Sequence, residues 1–125
     1  MTQGIDILLL NPTDSAGIEA AVRMAKAQDV IVVAVDANAN GPVDTFVGSK
    51  NRDAGYQSCK DLAEALDGEG EVAILDGIPV VPILERVEGC KAALAEFPEI
   101  KLVDTQNGRQ DRSVALGVVE NMIQS

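Results

Sequence analysis

Short apolar runs alternate with amphipathic segments along the chain. The runs predict strands at 5–10, 30–35, 45–49, 71–75 and 100–103, and the first two are apolar enough to be buried strands, the first on both faces. Between most of them, apolar residues recur every three or four positions and predict helices. The link from Asp36 to Thr45 carries turn residues instead. This alternation predicts a three-layer α/β/α sandwich with a five-stranded, mainly parallel sheet, in one compact domain over residues 1–125.

Polar side chains stand at the C-terminal ends of the predicted strands. They are Asn11, Asp36, Asn51, Asp76 and the region of Gln106. Ligands of open parallel sheets bind at this edge. The sequence has no glycine-rich phosphate motif there, whereas amides and carboxylates suit a neutral polyhydroxyl ligand. Most of these residues precede helices or turns and could equally cap backbone N–H groups. Only Asp36 precedes a loop, which favours a ligand role for it.

The charge and composition exclude several classes of function. The 125 residues include 20 acidic and 10 basic side chains and no histidine, so the net charge is -10. Such a chain repels nucleic acid and anionic membranes, and it lacks Ser-His or Cys-His nucleophiles and histidine metal ligands. No segment reaches the roughly 18 apolar residues of a membrane span, and no signal peptide is visible in the chain. We expect no enzymatic activity, no cofactor and no metal.

The two cysteines each fall on the apolar stripe of a predicted helix. Cys59 and Cys90 are too few for a disulfide framework. Free cysteines commonly pack like small apolar side chains, so we expect two buried thiols. A bridge between them would need close approach of their Cα atoms, which the sequence does not show.

Consecutive segments of the chain resemble, in order, the type I periplasmic sugar-binding proteins, and most closely the ribose-binding group. They are GIDILLLNPTDS, VIVVAVD, VGSKN, AGYQSCKDLAEAL, EVAILDG, ILERVEGCKAAL and IKLVDTQNGRQDRSVAL. The resemblance implies two Rossmann-like lobes that clamp one sugar, with 1–51 from the first lobe and 52–125 from the second. It also implies a non-catalytic solute receptor that delivers a small neutral sugar to the membrane subunits of an ABC-type importer, in a periplasmic or extracellular location.

The resemblance also implies ligand-binding residues. Asp36 stands where the family has a sugar-binding aspartate, and Arg86, in ERVEG, stands where it has a second-lobe arginine. Gln110 replaces a stacking phenylalanine of the ribose group, and Ala37 replaces an arginine, which argues against ribose itself. With Asn11 at the end of the first strand, these residues form the predicted site. We expect Asp36 and Arg86 to face one cleft, and Asn51 to be a hinge or structural residue.

The family has further strands and helices on both sides of the segment that this chain resembles. The chain would then be a central fragment with at most half of the pocket, and we expect weak or no affinity for sugar. In family geometry it would form a three-stranded and a two-stranded sheet with open apolar edges. We therefore predict one sheet of order 5-4-1-2-3, a circularly permuted flavodoxin-like order, in a monomer. A strand-swapped homodimer is the alternative.

Other functions share this fold. One is the effector domain of a LacI-type regulator, although no DNA-reading helix-turn-helix is present. Another is a flavodoxin-like scaffold without a ligand. A phospho-receiver would need an acidic cluster and a lysine at strand ends, for which Asp36, Asp76 and Lys50 are the candidates.

Overall fold

A computed structural model of the chain describes residues 4–124. It contains five strands and four helices in the alternation that the sequence predicts, and the α/β class is confirmed. None of the described helices has the length and hydropathy of a membrane span. The elements are β1 (Ile7–Leu10), α1 (Glu19–Lys26), β2 (Ile31–Val35), β3 (Thr45–Val47), α2 (Asn51–Ala65), β4 (Glu69–Asp76), α3 (Val81–Leu94), β5 (Glu99–Asn107) and α4 (Arg112–Gln124).

The chain divides into two compact units, where we expected one compact domain over 1–125. The first comprises the residues up to Ser49 together with Pro79–Pro82. The second comprises Lys50–Ile78 and the residues from Ile83 onward. The division lies close to the boundary between 1–51 and 52–125 that the family resemblance implies. The assignment of the two units to lobes of that family stays a prediction.

The first unit is a parallel sheet of order β1-β2-β3 with α1 on one face. Its core contains Val22 and Ala25 of α1 and Val32 of β2. As predicted, no helix connects β2 to β3. In the turn before α1, Asp14 Oδ1 accepts the N–H groups of Ala16 and Gly17, and Ser15 Oγ donates to the Asn38 carbonyl at 2.6 Å.

The opposite face of this sheet is apolar and exposed, so the expectation that the first strand is buried on both faces is wrong. The parallel register places alternate residues of the three strands on that face. Leu9 is 71% exposed, and the other exposed apolar side chains of the face are Ile7, Ile31, Val35 and Val47. The continuous apolar run of β1 thus has one covered face and one open face within its unit.

The second unit is a parallel pair, β4-β5, with a register shift between Val72 and Ala73. Its core joins Ala63 of α2, Cys90 and Leu94 of α3, and Val72 of β4. The single sheet of order 5-4-1-2-3 is therefore wrong, because the described strands form two separate sheets and no ladder joins β4 to β1. Sequential strands joined by a helix pair readily.

A disulfide joins Cys59 of α2 to Cys90 of α3, so the expectation of two free thiols is wrong. The two Cα atoms are 5.0 Å apart, within the range that a disulfide requires. Cys90 is buried and Cys59 is half-buried. The apolar stripes on which the sequence places the cysteines face each other across the α2–α3 contact.

Two glycines explain how α2 and α3 approach so closely. A Cβ on Gly55 would lie 2.0 Å from the Arg86 carbonyl oxygen, and one on Gly89 would lie 2.0 Å from the Arg52 carbonyl oxygen. Any side chain at either position would collide with the backbone of the other helix. The helices therefore touch backbone to backbone, one turn before the disulfide.

Candidate functional site

A cavity of about 400 Å³ opens in the second unit at the C-terminal ends of β4 and β5. This is the edge of a parallel sheet at which ligands bind. Its walls come from the end of β4, from the loop that follows β5, and from the N-terminal parts of α3 and α4. The polar and charged side chains that line it are Asp76, Arg86, Gln110, Asp111 and Arg112.

Arg86 lies on α3 and lines this cavity. Its Nε donates a hydrogen bond to Oδ1 of Asn51, the first residue of α2, at 3.0 Å. Asn51 is only 2% exposed, whereas Arg86 is exposed. A buried amide therefore holds one edge of the guanidinium, and this contact depends on the close packing of α2 against α3.

Gln110 reaches the same cavity from the loop between β5 and α4. Arg109 and Gln110 both have a φ of 54°, in the left-handed region that non-glycine residues rarely adopt. Asn107 Oδ1 accepts the Arg109 N–H at 2.7 Å, and Asp111 Oδ1 accepts two N–H groups of the first turn of α4 at 2.9 Å. These bonds hold the strained loop, and Asp111 caps the N-terminus of α4.

The charged side chains that line the cavity balance one another. Arg86 and Arg112 are cationic, and Asp76 and Asp111 are anionic. Both carboxylates also bond locally, since Asp76 Oδ1 accepts the Gly77 N–H at 2.7 Å and Asp111 caps α4. A cavity with this balance offers hydrogen-bond donors and acceptors without selecting for ligand charge.

Asn11 and Asp36 lie in the first unit, each directly after a strand of its sheet. Both are exposed, and the N–H of Asp36 donates to the Val47 carbonyl at 2.8 Å. The structure thus brings Arg86 and Gln110 to one cavity, and places Asn11 and Asp36 at the equivalent sheet edge of the other unit. A cleft shared by Asp36 and Arg86 stays a prediction.

Backbone strain coincides with two of the four predicted site residues. Besides Arg109 and Gln110, the described residues other than glycine with positive φ are Asp29, Asp36 and Asp67. Asp29 and Asp67 follow the ends of α1 and α2, where a left-handed residue is ordinary. Asp36 and Gln110 follow strands instead. Strained residues at strand ends favour a functional role.

Sequence reasoning missed Arg112 as a lining residue and Asn51 as the partner of Arg86. Arg112 could have been found, because it begins α4 shortly after the C-terminal end of β5, at the sheet edge where ligands bind. The contact between Asn51 and Arg86 joins residues 35 positions apart and had no local signal. Residues 4–124 contain no cluster of three or more cysteine, aspartate and glutamate side chains placed to hold a metal ion.

The chain matches, over residues 1–125, the family described as periplasmic binding protein domain, and it belongs to that family. Its relatives include the ribose import binding protein of Bacillus subtilis, which is 37% identical over 98% of this chain and 40% of its own length. The xylitol-binding protein of Mycolicibacterium smegmatis is 29% identical over 91% of this chain and 34% of its own length.

Solved structures agree with this assignment. The myo-inositol binding protein of Caulobacter, bound to myo-inositol, superposes with a TM-score of 0.93 at 28% identity, over 98% of this chain and 43% of that chain. A solute binding protein from Burkholderia graminis in complex with D-arabinose gives the same TM-score and identity. The chain spans about 40% of the length of the curated ribose-binding relatives that it matches.

Proposed function

We propose that the chain is part of the solute receptor of an ABC-type importer, with a small neutral sugar as its ligand and no catalytic activity. The observation that carries the proposal is the meeting of Arg86 and Gln110 in one cavity at the C-terminal edge of β4 and β5. Family resemblance proposes each of them separately as a ligand residue. The names of the relatives, which refer to ribose, xylitol and myo-inositol, support a polyhydroxyl ligand.

The chemistry of the cavity supports a neutral ligand. Sugar hydroxyls and ring oxygens accept hydrogen bonds from a guanidinium and donate them to amide and carboxylate oxygens. Gln110 offers hydrogen bonds where an aromatic side chain would offer stacking. Two arginines and two aspartates line the cavity, so the charges of the cavity cancel and would not attract an anionic ligand.

We extend the proposal to Asn11 and Asp36 as ligand-binding residues at the sheet edge of the first unit. In this proposal the receptor works in the periplasm or outside the cell and delivers its sugar to membrane subunits of the importer. The Cys59–Cys90 disulfide supports that location, because disulfides persist in oxidising compartments.

We propose that this chain alone binds sugar weakly or not at all. Sugars in water are already hydrogen-bonded, so a receptor must enclose them with many well-placed groups. The cavity that holds Arg86 and Gln110 is open to solvent, and an open cavity leaves most hydroxyls of a sugar hydrated. We expect a Kd weaker than about 1 mM, which corresponds to a binding free energy of about −4 kcal/mol.

Calorimetric titration tests this proposal. D-ribose, xylitol, myo-inositol and D-glucose would be titrated into the fraction that light scattering identifies as monomeric, which separates it from a strand-swapped homodimer. We expect heats no larger than those of millimolar binding. Arg86→Leu removes the arginine at the cavity. Arg52→Leu is the matched control, because the Arg52 guanidinium pairs with Glu88 at 3.2 Å and does not line the cavity. Micromolar binding by the monomer, or binding that Arg86→Leu leaves intact, contradicts the proposal.

A further inference from the structure

The buried Asn51 forms a contact that the sugar-site proposal does not use. Its side chain is almost fully inaccessible at the start of α2, and a buried amide requires hydrogen-bond partners. One of these partners is the exposed, permanently charged Arg86, through Nε. The buried Asn51 oxygen accepts a hydrogen bond from the guanidinium of Arg86, a candidate ligand residue. This contact would orient the arginine side chain.

We propose that Asn51 is a positioning residue, which holds the guanidinium of Arg86 with its two Nη amino groups toward the cavity. The hydrogen bond uses only Nε, so it leaves the terminal amino groups uncommitted. Those two groups form a planar pair of donors that matches two neighbouring oxygens. The favoured ligand would therefore carry adjacent hydroxyl groups, or a hydroxyl beside a ring oxygen. This part of the inference rests on the proposed function.

The backbone around the contact fixes the distance between the two residues. Asn51 lies one helical turn before Gly55, whose missing side chain lets α2 touch the Arg86 carbonyl. The reciprocal contact of Gly89 with the Arg52 carbonyl lies on the other helix. The Cα positions of Asn51 and Arg86 are therefore tied together by backbone packing that no side-chain rotation can relax.

The disulfide extends this constraint by one further turn. Cys59 follows Gly55 by four residues on α2, and Cys90 follows Arg86 by four residues on α3. Positions 51, 55 and 59 thus lie on one face of α2, and all three meet the same face of α3. An arginine side chain loses much rotamer entropy when it binds a ligand. In this structure, Asn51 imposes part of that order before any ligand arrives.

Nuclear magnetic resonance of the arginine side chains tests the positioning role in the full chain without any ligand. We expect the Nε–H proton of Arg86 to exchange slowly with solvent at mildly acidic pH, and about tenfold faster in Asn51→Leu, where the acceptor is lost. Asn51→Asp retains an oxygen acceptor and should preserve slow exchange. Arg23, whose Nε donates to Glu19 at 2.9 Å, is the internal control.

A second control separates this role from general damage to the helix. Gln57→Leu changes an exposed amide on the same helix, and it should leave the exchange at Arg86 unchanged. Unchanged exchange at Arg86 in Asn51→Leu, or equally fast exchange in Asn51→Asp, overturns the inference. If Asn51→Leu does not fold, the wild type is compared with Asn51→Asp instead. Rapid exchange of the Arg86 Nε–H proton in the wild type also overturns the inference.

The outcome is independent of sugar binding. Slow exchange at Arg86 that depends on Asn51 supports the positioning role even if calorimetry contradicts the sugar site. Conversely, fast exchange refutes the positioning role even if a sugar binds at the cavity. The two proposals can therefore fail separately.

Discussion

Removal of the Cys59–Cys90 disulfide should strongly destabilise the second unit. The two cysteines are 31 positions apart, and a cross-link of that span lowers the entropy of the unfolded chain by about 12 cal/mol/K. At room temperature this corresponds to about 4 kcal/mol of stability. The free energy of unfolding of a whole domain is only about 5–15 kcal/mol, so the loss should be large.

Urea unfolding of the oxidised chain, the reduced chain and the double variant Cys59→Ala/Cys90→Ala measures this effect. The single tyrosine, Tyr56, lies on α2 close to the disulfide and reports on this unit by fluorescence. Because typical slopes are about 1–3 kcal/mol per molar urea, the midpoint should fall by at least about 1 M on reduction. The double variant should not respond to reductant. Equal midpoints for oxidised and reduced chains, or two free thiols in the unreduced unfolded chain, would refute the reasoning.

Two further predictions concern residues of α2. Gly55→Ala should lower the free energy of unfolding by about 1–3 kcal/mol, because the new methyl group would lie 2.0 Å from the Arg86 carbonyl oxygen. Gly117→Ala on α4, where nothing lies within 4 Å, should raise it by about 0.5–1 kcal/mol, and urea unfolding compares the two. The hydrogen bond from the Tyr56 hydroxyl to Glu96, at 2.6 Å, raises the pKa of Tyr56 above its ordinary value of 10.0. The stability that this bond contributes is present below that value and is lost as pH rises through the folded pKa. Glu96→Gln should lower the midpoint of the tyrosinate absorbance titration, and an unchanged midpoint would show that Glu96 is not the cause.

The periodicity of apolar residues was sufficient to predict the elements of the fold but not the pairing of the strands. The apolar runs of β1 and β2 and the stripe of α3 identify strands and helices, because these patterns depend on local geometry. Pairing depends on contacts between distant residues. The order 5-4-1-2-3 was predicted so that β4 would cover the open edge of β1, but the described strands form two sheets without a β4–β1 pair.

The disulfide and the candidate site also depend on contacts between residues that are far apart in the sequence. Each cysteine was predicted on an apolar stripe, but their approach to 5.0 Å depends on Gly55 and Gly89, whose meaning appears only when the helices are placed together. Arg86 and Gln110 were proposed from resemblance, and the structure brings them to one cavity. The support from Asn51 joins two helices and leaves no local pattern in the sequence.

Amide chemical-shift mapping with D-ribose, xylitol and myo-inositol at tens of millimolar most directly tests the central claim that Arg86 and Gln110 line a sugar site. We predict gradual, fast-exchange shifts in the second unit that cluster at Gly77, Gly108 and Gln110 and disappear in Arg86→Leu. Shifts confined to residues away from this cavity, or shifts at the cavity that persist unchanged in Arg86→Leu, would contradict the account.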